Sequence, residues 1–143
     1  MMDLKAIKTA IVAFVLIAPM SVLAGEEQAD KKVPSEYRTT ENPFTGSDKS
    51  VFERGEFIYS KKCVKCHGEK GDGVGGILEE SGIPIAHFNE EYFSERKDGY
   101  IFRVVEQGIP DTLMAPFGPG SDDNLPADDI WKVISFMRER FGK

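Results

Sequence analysis

Cys63-Val64-Lys65-Cys66-His67 constrains this chain more than any other five residues in it. Two thiols at this spacing can each add across a vinyl group of a haem as a thioether, and the histidine that follows then lies against one face of the iron. Attachment and a first axial ligand come from one short segment. Cys63 and Cys66 are the only cysteines among the 143 residues, which leaves the other chemistries of the pattern short of partners. A structural zinc site takes about four Cys or His ligands; beyond the motif only His87 remains, and His67, directly after Cys66, converges poorly with it. A thioredoxin-like redox pair calls for a strand and a crossover helix, whereas a helical pattern precedes this motif and a glycine-rich loop follows it. A Cys63–Cys66 disulfide would close so small a loop that it removes little entropy from the unfolded chain. The expectation is one covalent haem c with its iron, held by Cys63 and Cys66 and ligated by His67.

Lys5 and Lys8 precede an apolar run from Ala10, then Pro19 and Val22-Leu23-Ala24, the order of a secretory signal peptide. Residues 1–24 are read as that signal, cleaved after Ala24, which places the protein in the periplasm. The alternative, a retained anchor, is poorly served: the run from Ala10 to Ala24 is broken by Pro19 and is short of the roughly 20 residues a span needs. No other stretch could cross a membrane, so no span is expected after cleavage. Residues 25–143 suffice for one small domain. A formal charge of −6 makes nucleic acid an implausible partner.

Residues 25–48 are polar, carry Pro34 and Pro43 and keep no helical period, which describes an extended N-terminal arm, anchored at Tyr37 or Phe44 or else a flexible tail. From residue 49 a single domain follows. Val51, Phe52, Gly55, Ile58 and Tyr59 recur at helical spacing and lead into Cys63. Gly71-Asp72-Gly73-Val74-Gly75-Gly76 formally contains a nucleotide-loop pattern, but neither the strand before it nor the helix after it is present; its glycines are expected to let backbone wrap a flat ligand closely. Asn89 is placed to cap a short helix from Glu90 to Phe93. Asp98 opens another, with Ile101, Val104 and Val105 on one face and Gly108 as its stop. Residues 109–124 hold too many prolines and glycines for a regular element. After Pro126 a last helix carries Ile130, Ile134, Met137 and Phe141 on one stripe. No strand is expected.

The sixth position of a haem iron decides between electron transfer and reactive chemistry. Outside the signal the donors are Met114, Met137 and His87. Met137 falls on the apolar stripe and reads as core. Met114 lies in a stretch stiffened by Pro110 and Pro116 that can hold a thioether in place; His87 as ligand, and Met114 as mere apolar cover, stay open. A histidine and methionine pair favours ferrous iron relative to two histidines.

With these motifs the chain resembles the class I c-type cytochromes, small proteins with one haem, over Ser50 to Phe141. Gly55-Glu56-Phe57-Ile58-Tyr59 is similar to the glycine and aromatic pair on the family's first helix, and Trp131 to Met137 to its last. The resemblance implies an all-α cytochrome c fold of three to five short helices around the haem. The first and last of these cross at Gly55, with Tyr59, Trp131 and Phe136 packed at the crossing. It further implies Cys63 and Cys66 as thioether anchors, with His67 and Met114 as axial ligands. Pro84 is the nearest match to the family's proline that orients the proximal histidine.

The function expected is a periplasmic single-electron carrier, not an enzyme, between a donor dehydrogenase or quinol-oxidising complex and a terminal reductase or oxidase. The alternatives are a haem c subunit of a stable periplasmic oxidoreductase complex, with the arm clasping a partner, and a haem gas sensor or small peroxidase. Lys61, Lys62, Lys65 and Lys70 surround the motif while Asp122, Asp123, Asp128 and Asp129 cluster elsewhere in the sequence. A dipolar molecule is expected, with redox partner proteins docking near those lysines.

Overall fold

A computed structural model describes residues 34–44, 48–74 and 85–143; the expected signal peptide, Gly75, Gly76 and Pro84 lie outside the described residues. Within these the chain forms six helices and no strand: α1 (Ser35–Arg38), α2 (Lys49–Lys62), α3 (Val64–His67), α4 (Glu90–Glu95), α5 (Asp98–Gln107) and α6 (Ala127–Phe141). None of them is long and apolar enough to cross a membrane.

Local chemistry explains three of the helix ends. The Asp48 carboxylate accepts from the amides of Ser50 at 2.8 Å and Val51 at 3.2 Å, satisfying two orphan donors at the start of α2. Asn89 does the same for Tyr92 at 2.8 Å, and Glu90 and Glu91 meet the positive end of α4. Gly108, at φ +68°, stops α5, and its amide returns to the Val104 carbonyl.

The core forms where α2 crosses α6. A Cβ on Gly55 would stand 2.6 Å from the Phe136 Cβ and would overlap the Lys132 carbonyl oxygen, so only glycine lets the two backbones meet. Around that point Phe52 packs edge-on to Phe136 at 5.0 Å and Tyr59 packs on it at 5.5 Å. Trp131 turns the other way and stacks on Phe102 of α5 at 4.1 Å, so Phe52 stands at the crossing where Trp131 was expected. Ile130 and Ile134 of the expected stripe are fully buried, with Met137 and Phe141 beside them.

The polar segment read as extended contains one helical turn, α1, and it packs on the domain. Tyr37 lies 6.3 Å from the Phe102 ring; its hydroxyl donates to Glu106 at 2.7 Å and accepts from Gln107 at 2.7 Å. Gly99 of α5 leaves room for the Tyr37 carbonyl. Asn42 donates to the Trp131 carbonyl and to Ser135, and the Ser135 hydroxyl reaches the Phe44 carbonyl at 3.2 Å. Tertiary partners on α5 and α6, rather than its own composition, bend this segment.

Candidate haem site

Helix α2 ends in the motif. The Cys63 amide closes its last turn on the Tyr59 carbonyl at 2.9 Å, and α3 then winds tightly enough that the amides of Cys66 and His67 both return to the Cys63 carbonyl. The buried Tyr59 hydroxyl donates to the Gly68 carbonyl at 2.8 Å, tying the residue after His67 back to the first long helix. Gly68 takes φ +78° there and turns the chain away.

His67 stacks on Phe88, with ring centroids 4.6 Å apart and planes inclined by 21°. Phe88 is held in turn: its amide donates to the Gly71 carbonyl at 2.7 Å, and Gly71, at φ +69°, leaves room for the Phe88 Cβ and the Phe141 ring. Of the described glycines of the loop, Gly71 admits the Phe88 and Phe141 side chains and Gly73 admits the Ile85 carbonyl and Cβ. Burial pushes the His67 imidazole below its ordinary value, and the Ala86 carbonyl pulls the other way. At neutral pH the ring is uncharged and keeps a lone pair for a metal. Its buried Nδ1 has no well-formed hydrogen bond among the described residues. Burial pushes the Cys63 thiol up to about 12, with Cys66 and Asp123 adding to the shift, so the free side chain is a neutral thiol.

The proline and glycine rich segment after α5 closes on itself. The Ile109 amide donates to the Met114 carbonyl at 2.9 Å, the Met114 amide to the Thr112 hydroxyl at 3.1 Å, and the Phe117 amide to the Val105 carbonyl at 3.0 Å. Asp111 takes φ +61° inside this ring. Gly108 again has no room for a Cβ, which would meet the Pro116 nitrogen at 2.8 Å.

Between these two constructions lies a cavity of about 330 Å³. Cys63, Cys66, His67 and Met114 all line it, as does Met137 from α6. Ile101, Val105 and Phe88 supply apolar wall. Two thiols, an uncharged imidazole and a thioether around one apolar space are a donor set that fits a covalent haem. His87 is exposed and takes no part in the lining. Met137 is 4 % exposed, buried as core and also reaching the cavity. Sequence reasoning missed Phe88, Tyr92 and Arg96 as cavity wall; the one signal was the four-residue spacing from Phe88 to Tyr92 to Arg96.

Lys61, Lys62, Lys65 and Lys70 are all exposed. The expected separation of charge is smaller than the sequence suggests, because the acids do not stay apart. Lys62 pairs with Asp123, and Asp129 is buried against Arg54, whose Nε lies 3.0 Å away. Ile109, at 40 % exposure, and Leu113, at 57 %, line the same cavity as Lys62.

A family model described as cytochrome c oxidase, cbb3-type, subunit III matches residues 50–137. A search of curated proteins returns no match.

Proposed function

Since the chain belongs to the cytochrome c family described as cbb3-type cytochrome c oxidase subunit III, a family that binds haem c and transfers electrons, we propose that it is a periplasmic carrier of single electrons whose iron is ligated by His67 and Met114. Haem c bound in the cavity supplies a one-electron iron couple. Cys63 and Cys66 hold it by thioether bonds, so it is not lost between donor and acceptor. Phe88 fixes the plane of the His67 ring. The closed loop from Gly108 to Phe117 holds the Met114 backbone in place, so that its thioether would be positioned for the iron in both oxidation states. Apolar walls exclude water, and a soft neutral sulfur favours the ferrous state.

One observation carries this reading: Met114 shares a single cavity with His67 and both cysteines, while His87 does not. The test is replacement of Met114 by Ala. The ferric protein should lose its sulfur-to-iron charge-transfer band, the midpoint potential should fall, and the ferrous protein should bind carbon monoxide rapidly where the parent does not. A parent protein that itself binds carbon monoxide rapidly at neutral pH contradicts the reading and favours a sensor or peroxidase.

A second reading is favoured by the family's own description: a haem-bearing subunit of a larger oxidoreductase complex. Within the described part of the arm, Tyr37, Asn42 and Phe44 are engaged on α5 and α6 of this chain, so these three are not free to clasp such a partner. Purification from the native source separates the two, because a carrier elutes alone and a subunit elutes with its complex.

A further inference from the structure

The polar lining of the cavity consists of donors, with no acidic side chain among the described residues. Two cations reach it, Lys62 and Arg96. Lys62 is already paired with Asp123. Arg96 stands on the α4 and α5 wall with Tyr92 and Tyr100, which line the same space. Its guanidinium lies 4.4 Å from the centroid of the Tyr92 ring and shares one nitrogen between Glu95, at 3.0 Å, and the Tyr92 carbonyl, at 3.5 Å. Glu95 is 42 % exposed, so that pair is a weak, water-screened one. Neither tyrosine hydroxyl has a hydrogen-bond partner among the described residues. Burial pushes the Tyr92 phenol up to about 12, with the Arg96 charge pulling it down.

This cluster is built rather than incidental. Arg138 of α6 donates to the Phe93 carbonyl at 2.8 Å and the Arg96 carbonyl at 2.6 Å, pairs with Asp98, and lies over the Phe93 ring. The junction between α4 and α5 is thereby pinned, and Arg96 with it. A charged group so placed beside an apolar cavity calls for an opposite charge, since a carboxylate leaving water needs donors and a cation to offset its desolvation.

A haem tied to Cys63 and Cys66 through its vinyl-bearing edge carries its two propionates on the edge opposite. We propose that Arg96, with the hydroxyls of Tyr92 and Tyr100, is the receptor for a haem propionate carboxylate, and that Arg138 is a positioning residue behind it. The proposal rests on the attachment at Cys63 and Cys66. The propionate displaces Glu95 from the guanidinium, and the tyrosines donate to its oxygens.

The test uses the holoprotein and its Arg96→Gln, Arg96→Lys, Tyr100→Phe and Tyr92→Phe variants. Resonance Raman spectra report the propionate bending modes, which fall in frequency when hydrogen bonds to the carboxylate weaken. Arg96→Gln should lower those modes and the midpoint potential, because a cation near the iron disfavours the ferric state. Arg96→Lys should recover part of both shifts, and Tyr100→Phe should lower the modes with a smaller change in potential. Modes unchanged in both Arg96→Gln and Tyr100→Phe, with an alkaline pyridine spectrum that still reports two thioether bonds, overturn the proposal and leave the cytochrome reading intact. A pyridine spectrum of non-covalent haem in the parent overturns the attachment and the proposal together. If Arg96→Gln does not accumulate, Tyr100→Phe decides alone, since it removes only a hydroxyl.

Discussion

Gly55→Ala sets two physical effects of opposite sign against each other. In the interior of a long helix such as α2, alanine is favoured over glycine by about 1 kcal/mol. The added methyl, however, has no space: it would stand 2.6 Å from the Phe136 Cβ and 3.0 Å from the Lys132 carbonyl carbon, with the carbonyl oxygen nearer still. Carbon atoms rest at about 3.5–4.0 Å, so α2 and α6 must part by roughly 1 Å. The obstacle is largely backbone and cannot rotate aside. Parting the helices also loosens Phe52 and Tyr59 on Phe136. Overpacking of this kind costs about 1–3 kcal/mol, and the upper end applies where backbone must move. The net expectation is a loss of about 1–2 kcal/mol, or a fall in Tm of roughly 5–15 °C for a domain this size. Guanidinium unfolding of the holoprotein, followed by far-ultraviolet circular dichroism, measures it. A variant as stable as its parent, or more so, refutes the close crossing.

Asp129→Asn should cost about 1 kcal/mol at neutral pH, modest because the Arg54 side chain is 45 % exposed and screened by water. Hydrogen bonding and charge from Arg54 hold the Asp129 carboxyl below its ordinary 3.8, so the pair's contribution is complete above about pH 4 and is lost as pH falls through the lower folded value. Acid titration of stability should therefore be less steep in Asp129→Asn than in the parent; parallel curves contradict the assignment. Tyr37→Phe keeps the ring contact with Phe102 but removes two hydrogen bonds, and should lower stability by about 0.5–1.5 kcal/mol in the same unfolding assay while leaving the haem spectrum unchanged. Lys61→Glu with Lys65→Glu should slow electron exchange with an acidic redox partner and flatten its ionic-strength dependence, read by stopped-flow absorbance; unchanged rates dismiss docking at that face.

What could be read from the residues in order was whatever their near neighbours decide. Asn89 and Gly108 announce helix ends because a cap is satisfied within three residues, and Ile130, Ile134, Met137 and Phe141 announce a buried stripe because period alone places them. The motif from Cys63 to His67 is local in the same sense, and Met114 emerged from scarcity of donors. Asp48 is as plain a cap as Asn89, yet Pro34 and Pro43 dominate that stretch and make it read as arm. The rest depends on distance along the chain. Helix α1 exists because Tyr37 finds Glu106 and Phe102, Trp131 faces Phe102 rather than Gly55, and Lys62 meets Asp123 only after the chain reverses. The Arg96 cluster is hidden for the same reason: α6 supplies the Arg138 that pins it.

Helices α2 and α6, which carry the crossing at Gly55, come from opposite ends of the described domain, and the two cysteines proposed to hold the haem follow directly on the first of them. A polypeptide emerging amino end first offers both thiols before α6 has arrived to press on Phe52 and Tyr59. The thioether bonds proposed at Cys63 and Cys66 would therefore form on a chain still unclosed, and the last helix would then close over them. Contacts so far apart in order are slow to form, which widens the interval in which both thiols stay accessible.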